Sequence, residues 1–116
     1  MAEVTLHNSA ITGTTTDSYP TTPQYQNKRI GGMRGKSIQI QNTGGSNGLT
    51  FQVKVKPNVD SDYINYPPGS SEQNLAANAD AIIGVPEVYA EIAVEVKAQT
   101  SSNQTTFKIS MTGQSR

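Results

Sequence analysis

The strict alternation of apolar and polar residues restricts the fold of this sequence more than any other feature. Within "LTFQVKVKP" the apolar residues stand at every second position: Leu49, Phe51, Val53 and Val55. Within "AEIAVEVKA" the same spacing recurs: Ala90, Ile92, Val94 and Val96. Because successive side chains of a β-strand point to opposite faces, a period of two predicts strands with one buried and one exposed face. The exposed face should then carry the intervening polar residues: Gln52, Lys54, Lys56, Glu91, Glu95 and Lys97.

The same alternation, over shorter stretches in some cases, predicts four further strands. The first contains Val4 and Leu6, the second Ile38 and Ile40, the third residues 79–85, and the fourth Phe107, Ile109 and Met111. The loop "NTGGSNG" predicts that the strands before and after it pair as a hairpin. A second hairpin is predicted from the last two strands, on either side of "QTSSNQT". No window has a sustained period of 3.6 residues, and only "SSEQNLAANADA" is compatible with one or two helical turns.

Short strands separated by loops rich in Gly, Pro, Ser and Asn predict an all-β fold. We expect an antiparallel β-sandwich or a small β-barrel, of jelly-roll or immunoglobulin-like type, with little or no helix. The Thr-, Pro- and Gln-rich residues 12–27 follow neither period, so we expect an extended arm there. The sequence thus divides into an N-terminal strand and extended arm (1–27) and a single β-sandwich domain (28–116). A length of 116 residues suits one such domain.

Composition excludes several classes of function. Nine basic and nine acidic residues cancel, so the chain has no general electrostatic attraction for nucleic acid or for an anionic membrane surface. It has no cysteine, and therefore neither a disulfide nor a thiolate metal site. Ser, Thr, Asn and Gln make up 42 of the 116 residues, which is typical of β-rich chains that are exposed or assembled into something larger.

No combination of residues predicts an enzyme, a cofactor or a metal ion. The single histidine, His7, has no second group that the sequence aims at the same point, as a general base or metal ligand requires. "DSD" at residues 60–62 is the best metal candidate, but the ordinary calcium loop is absent and a solvated acidic turn is the simpler interpretation. Glu91 and Glu95 would lie about 13 Å apart on a strand, too far for a glycosidase pair.

The segment "KRIGGMRGK" concentrates four of the nine basic residues without an acid among them: Lys28, Arg29, Arg34 and Lys36. It matches the phosphate-binding P-loop only in part, and a strand rather than a helix follows it. Three interpretations remain open: a solvated turn, a patch that meets an acidic protein surface, and a contact to a polynucleotide backbone.

Two irregular segments combine prolines with tyrosines, a composition suited to docking on another protein. The arm contributes Tyr19, Pro20, Pro23 and Tyr25, and "DYINYPPG" contributes Tyr63 and Tyr66. Prolines lower the entropy lost when an extended segment docks, and tyrosines offer large amphipathic contacts. We predict that these six residues bind a partner protein, together with Arg29 and Arg34. The alternative is that both segments pack on their own domain.

Two segments, "GKSIQIQNTGGSNGLTFQVKVKP" and "VYAEIAVEVKAQTSSNQTTFKISMTG", resemble in their layout the small β-rich virion structural proteins of tailed bacteriophages and other double-stranded DNA viruses. In such proteins a hairpin is followed by a long irregular crossover and a closing hairpin. The likeness covers the greater part of the chain and is one of pattern, not of a motif. It implies a capsid decoration (cement) protein that stabilises a capsid lattice through protein–protein contacts.

The resemblance further implies a location in the virion after assembly in the host cytoplasm. The partners would be the major capsid protein or other virion proteins, in a homo-oligomer such as a trimer, with no specific nucleic acid and no membrane. Two alternatives stay open. One is a head–tail connector or tail structural subunit. The other is a carbohydrate-binding or adhesin-like β-sandwich module, although the chain has no Trp and only five Tyr to form a sugar platform.

Overall fold

The computed structural model describes residues 5–28, 30 and 33–115, and for residues 5–7, Arg34 and Ser115 it describes the backbone alone. Some predicted positions therefore lie outside the described residues. These are Val4 and Arg29, together with the side chains of Leu6, His7 and Arg34.

The regular structure of the described residues consists of β-strands. In chain order they are β1 (Thr5–Thr14), β2 (Tyr25–Asn27), β3 (Arg34–Asn42), β4 (Leu49–Lys56), β5 (Ile64–Asn65), β6 (Gln73–Leu75), β7 (Asp80–Val85), β8 (Glu91–Ala98) and β9 (Thr106–Ser115). A four-stranded sheet has the order β1-β9-β3-β7, and a five-stranded sheet has the order β2-β8-β4-β5, with β6 also paired to β4. All pairs are antiparallel, and the two sheets enclose one core. The predicted all-β sandwich is confirmed.

The apolar faces predicted from the alternation in β3, β4, β8 and β9 are also confirmed, except at Ala90, which is half-buried and precedes β8. The core side chains that these strands contribute are Ile38, Ile40, Leu49, Phe51, Val53, Val55, Ile92, Val94, Val96, Phe107, Ile109 and Met111. Removal of this apolar surface from water stabilises the fold by about 25 cal/mol per Å². The strand predicted at residues 79–85 is confirmed as β7.

Both predicted hairpins are wrong. β3 pairs with β7 and β9, whereas β4 pairs with β8, β5 and β6. The loop at residues 43–48 therefore carries the chain from one sheet to the other, and residues 99–105 do the same between β8 and β9. The alternation of a strand specifies the face that is buried, but it does not specify which strand lies beside it. A glycine-rich loop can cross a sandwich as readily as it can close a hairpin.

The N-terminal segment is more regular than predicted. β1 continues to Thr14 and pairs with β9 along its whole length, and β2 adds an edge strand beside β8. The irregular part is reduced to residues 15–24, which we call the arm. The sequence conceals β1 because an edge strand exposes both faces over much of its length, so it needs no apolar period; Asn8, Ser9 and Ala10 are all exposed. Residues 73–75 likewise form β6 instead of a helical turn.

A buried amide joins the two sheets at one end of the sandwich. Asn42, at the end of β3, donates from Nδ2 to the carbonyls of Asn47 (2.9 Å) and Leu75 (3.1 Å). Its Oδ1 accepts from the Gly44 N–H (3.1 Å) and from Thr105 Oγ1 (2.8 Å). Four hydrogen bonds satisfy both polar atoms of this side chain, so its burial costs little free energy. The same bonds hold the loop 43–48, Leu75 of β6 and Thr105 at fixed positions relative to one another.

Candidate functional site

The outer face of the five-stranded sheet is covered by two segments of the same chain. These are the arm (15–24) and residues 57–75, which we call the crossover. The polar residues that alternate with the core residues of β4 and β8 are consequently buried: Thr50, Gln52, Glu91 and Glu95. The prediction that this face is exposed is wrong for Gln52, Glu91 and Glu95, whereas its three lysines are part-exposed. Polar side chains show only that a face is not part of the apolar core and do not show that solvent reaches it.

A tyrosine, a glutamate and a lysine join the arm to the crossover and to the sheet. The phenol of Tyr19, in the arm, donates to Glu72 Oε2 in the crossover at 2.6 Å. Lys97 Nζ, from β8, lies 3.7 Å from the same carboxylate oxygen and 4.8 Å from the centroid of the Tyr19 ring. Tyr19 therefore makes a charge-assisted hydrogen bond to Glu72 and a cation–π contact with Lys97, and these two charged residues pair with each other.

The same three residue types recur at the other end of β8. Tyr63, in the crossover, donates to Glu91 Oε2 at 2.7 Å, and Lys56 Nζ lies 3.8 Å from that oxygen. Lys56 also lies 4.9 Å from the centroid of the Tyr63 ring. Because Lys56 and Glu91 face each other in the β4–β8 ladder, the sheet itself positions the ion pair that receives the tyrosine.

A third tyrosine, Tyr66, donates to Glu87 Oε1 at 2.7 Å and packs edge-to-face against Tyr89 with ring centroids 5.9 Å apart. The backbone carbonyl of Glu87 also accepts from Lys36 Nζ at 2.5 Å. Lys36 is buried and donates a second bond to the Met33 carbonyl at 3.2 Å. Burial lowers the pKa of the Lys36 ammonium below its ordinary value.

The covering tyrosines keep their protons at neutral pH. Burial, followed by hydrogen bonding to a carboxylate, raises the pKa of Tyr63 and of Tyr66 to about 12. The same causes raise the pKa of Tyr19 above its ordinary value. Each phenol is therefore a permanent donor to its glutamate, which suits a structural contact and not proton transfer near pH 7.

The arm is also fixed through its backbone partners. The Gln24 side chain donates from Nε2 to the Val96 carbonyl (2.7 Å) and accepts from the Val96 N–H (3.0 Å). This side-chain amide thus makes the two hydrogen bonds that a backbone residue of a neighbouring strand would make with Val96. Asp17 accepts from the Ser102 N–H at 2.8 Å and from Gln104 Nε2. These hydrogen bonds hold the pKa of the Asp17 carboxyl below its ordinary value. The arm therefore packs on its own domain.

A polar cavity of about 480 Å³ lies between the arm, the crossover and the covered strands. It is lined by Tyr19, Gln52, Lys54, Asn65, Ser70, Ser71, Glu72 and Glu95. Lys54 Nζ lies 3.0 Å from Glu95 Oε1, so the charges on this part of the sheet are paired. None of the lining side chains is an aliphatic hydrophobe, which distinguishes the cavity from an ordinary packing defect.

The outer face of the four-stranded sheet is open and almost uncharged. By register its described side chains are Asn8, Ala10, Thr12 and Thr14 from β1, Thr106, Lys108, Ser110, Thr112 and Gln114 from β9, Ser37, Gln39 and Gln41 from β3, and Asp80 and Ile82 from β7, beside Gly84. The edge strands β1 and β7 have no second neighbour among the described residues, so each has a free row of backbone donors and acceptors. Ile82, on β7, is 71% exposed.

The structure distributes the predicted partner-binding residues over several environments. Tyr19, Pro20 and Pro23 are half-buried in the docked arm, and Tyr63 and Tyr66 are half-buried in the crossover. The Tyr25 ring lies in the core, 2% exposed, where its hydroxyl meets Ser9 Oγ, so it has no free surface for a partner. Arg29 and the Arg34 side chain lie outside the described residues. The partner-binding role of these residues stays a prediction.

The basic segment at residues 28–36 is not a simple solvated loop. Ile30 and Met33 are buried in the core, and Lys36 is buried as well, while Lys28 is exposed. Lys36 therefore cannot contribute to a surface patch. The period of two places Lys36 on the same face as Ile38 and Ile40, but a lysine at the end of an apolar period is ordinarily interpreted as solvated.

The groups considered for chemistry are not brought together. Asp60 lies in an exposed turn, where its N–H donates to Asn58 Oδ1 at 3.0 Å. Within the part of the chain that the structure describes, no three His, Asp or Glu side chains form a group that could hold a metal ion. The same residues include no helix long and apolar enough to span a membrane.

Comparison with known proteins identifies the fold but no family. No protein-family model and no curated protein matches this sequence. A solved structure of Bacillus endospore appendages, described as disulfide-linked pili, has a TM-score of 0.63 at 13% identity, with 97% of this chain and 87% of that chain covered.

Two further similar structures come from proteins of other kinds. A periplasmic inhibitor of g-type lysozyme from Aeromonas hydrophila has a TM-score of 0.51 at 17% identity, covering 92% of this chain and 86% of that one. The subviral particle of infectious bursal disease virus VP2 has a TM-score of 0.50 at 8% identity, covering 97% of this chain and 33% of that one. Identities this low establish a shared sandwich fold and leave the function to be argued from the surface.

Proposed function

We propose that this chain is a virion structural protein of the decoration type, which stabilises a capsid lattice through protein–protein contacts and forms homo-oligomers. In broader terms it is a subunit of a protein assembly and acts through its surface, without chemical turnover. Its partners would be the major capsid protein or other virion proteins.

The observation that carries this proposal is the open outer face of the four-stranded sheet with its two free edges. Among the side chains that the structure describes, the face holds Ser, Thr, Asn and Gln with Lys108 and Asp80 as its charges, so another surface can cover it without stripping water from many ions. β1 offers ten residues of edge backbone and β7 offers six. Strand addition at such an edge joins chains through main-chain hydrogen bonds.

The exposed Ile82 makes the β7 edge the stronger of the two contact sites. Edge strands that must not associate usually carry charges that oppose pairing. β7 instead places a largely exposed isoleucine in the middle of the strand, between Ala81 and Ile83. Burial of an isoleucine side chain stabilises an interface by roughly 1.5–3 kcal/mol.

Similar folds in two assembled structures support the general class. The endospore appendages are described as pili, and the VP2 structure as a subviral particle. The appendages are disulfide-linked, whereas this chain has no cysteine. Its assembly would therefore depend on non-covalent contacts, of which strand addition at an open edge is one.

The proposal is tested by self-association of matched edge variants. Ile82→Lys places a charge on the β7 edge, and Val59→Lys places the same charge at a position of nearly equal exposure (73%) in the crossover. Sedimentation velocity of the wild-type chain should detect a concentration-dependent oligomer. Ile82→Lys should weaken association at least tenfold, and Val59→Lys should leave it unchanged. A wild-type chain that stays monomeric, or equal effects of both variants, would contradict the proposal.

Negative-stain images of the same oligomer separate the decoration role from its nearest alternative. A compact trimer fits a subunit that sits at a local three-fold axis of a lattice. A closed ring of subunits fits instead a head–tail connector or a tail structural subunit.

A further inference from the structure

The cavity under the arm is open to solvent on one side, has the size of a ligand site and is lined by polar groups. Its volume of about 480 Å³ falls within the range of roughly 300–1,000 Å³ found for small-molecule sites. Hydroxyl, amide and carboxylate groups surround it, and the Tyr19 ring adds one aromatic surface. It lies on the five-stranded sheet, so it is independent of the assembly face proposed above.

The charges around the cavity favour a neutral ligand. Glu95 is paired with Lys54 at 3.0 Å, and Glu72 is paired with Lys97 at 3.7 Å. Each carboxylate therefore has a cation of its own. A charged ligand would have to break one of these pairs, whereas a neutral polar ligand can bind beside them and keep both.

One lining side chain has an unused acceptor. Gln52 is 6% exposed, and its Nε2 donates to the Val53 carbonyl at 2.9 Å. Its Oε1 is buried and has no hydrogen-bond partner among the described residues. The amide cannot be reversed to remove the problem, because its oxygen would then face the Val53 carbonyl oxygen. Oε1 is closed to solvent, so a donor from outside the chain reaches it only when the lining side chains move. A buried acceptor without a donor costs about 1–3 kcal/mol, which favours such a movement.

We propose that this cavity binds a neutral saccharide of one or two units, with a sugar hydroxyl donating to Gln52 Oε1. Sugar hydroxyls both donate and accept, which matches the mixture of Ser70, Ser71 and Asn65 beside the glutamine. A peptide segment would also bring side chains that need apolar pockets, and no aliphatic hydrophobe lines this cavity.

The test uses the same substitution on the two outer faces. Gln52→Met removes the free acceptor while nearly keeping the side-chain volume, and the Val53 carbonyl keeps its bond from the Tyr66 N–H at 2.9 Å. Gln39→Met, on the outer face of the four-stranded sheet, is the matched control. NMR chemical shifts of the wild-type chain would be followed with neutral mono- and disaccharides of hexoses and N-acetylhexosamines, with an anionic disaccharide, and with a Gly-Ser peptide.

We expect a neutral saccharide to shift the resonances of the cavity residues and the other probes not to. Gln52→Met should weaken that binding about tenfold at an unchanged or higher melting temperature, and Gln39→Met should leave it unchanged. Ser71→Ala, at an exposed lining position, should weaken binding several-fold without loss of stability. The proposal is overturned if no neutral saccharide binds, if the peptide alone binds, or if Gln52→Met binds like the wild type.

Discussion

The two sheets of this sandwich share one core but present opposite outer faces. The outer face of the four-stranded sheet is open, and its polar side chains carry almost no charge. The outer face of the five-stranded sheet carries ion pairs from β4 and β8 and is covered by the arm and the crossover. The Tyr63 phenol of the crossover donates to Glu91 in the sheet beneath it, and the Tyr19 phenol of the arm donates to Glu72 of the crossover.

The difference shows how charge determines whether a sheet face can serve an interface. A charged face must be matched group by group when it is covered, and here the chain itself supplies the matching tyrosines. An uncharged face of hydroxyls and amides can be covered by many surfaces at a smaller desolvation cost. The face closed by its own chain is therefore suited to a small ligand in a gap, and the open face to another protein.

The largest loss of stability should come from a substitution on the inner face of β8, a strand whose outer face is covered. Val94→Asp buries an unpaired carboxylate in the core and should unfold the domain, with a loss of about 4 kcal/mol or more. Chemical denaturation followed by circular dichroism measures the loss. A folded Val94→Asp variant of nearly normal stability would mean that the faces of β8 are assigned incorrectly.

A matched pair of alanines compares the two outer faces directly. Ala93 is fully buried on the covered face, whereas Ala10 is exposed on the open face. Ala93→Leu should destabilise the fold by about 1–3 kcal/mol because the site has no room for the added carbons. Ala10→Leu should change the free energy of unfolding by less than about 0.5 kcal/mol. Similar losses for the two variants would show that the faces are equally covered.

A smaller effect is expected from removal of one charge on each face. Glu95→Ala breaks the 3.0 Å pair with Lys54, but Lys54 is part-exposed and water can solvate it, so the loss should be about 1 kcal/mol. Lys108→Ala on the open face should cost less than about 0.5 kcal/mol. Urea denaturation of both variants checks the order, and a larger loss for Lys108→Ala would reverse the comparison.

The smallest effect is a dependence on alkaline pH that belongs to the covered face. Because the pKa of Tyr63 rises from 10.0 to about 12 on folding, the folded chain holds more protons in that interval and the free energy of unfolding falls as pH rises through it. Lys36 has a lowered pKa and gives the opposite slope below its ordinary value of 10.5. Tyr63→Phe should therefore flatten the decline above pH 10.5. An unchanged slope in Tyr63→Phe would contradict this origin.

The sequence predicts the inner faces well and the outer faces poorly. Burial of Val53 or Ile109 follows from local alternation, because the core selects apolar side chains at every second residue. The covering of Glu91 and Glu95 depends on residues far along the chain, such as Tyr63, and no local pattern records that contact. The pairing of the strands cannot be predicted for the same reason, because the loops after β3 and β8 have the composition of hairpin turns but lead to the opposite sheet.

The candidate cavity could not be found from sequence at all. Gln52 reads as one more polar residue of an alternating strand, and only the arrangement of arm, crossover and sheet leaves its oxygen without a donor among the described residues. The neighbouring prolines single out the tyrosines of the arm and the crossover in the sequence and predict that they contact a partner. The hydroxyls of Tyr19, Tyr63 and Tyr66 bind glutamates of the same chain, and their contact with a partner stays a prediction.

The buried Asn42 amide has a mechanical consequence. It ties the end of β3 to the connections beside β4, β6 and β9, so at this end the sheets cannot slide past each other without breaking four bonds at once. At the far end of the sandwich, near Val88, a second set of bonds joins the layers: Lys36 of β3 donates to the Glu87 carbonyl, and Tyr66 of the crossover donates to the Glu87 carboxylate. The layers are thus fastened at both ends, so under strain or heat they should come apart together and not hinge open from one end.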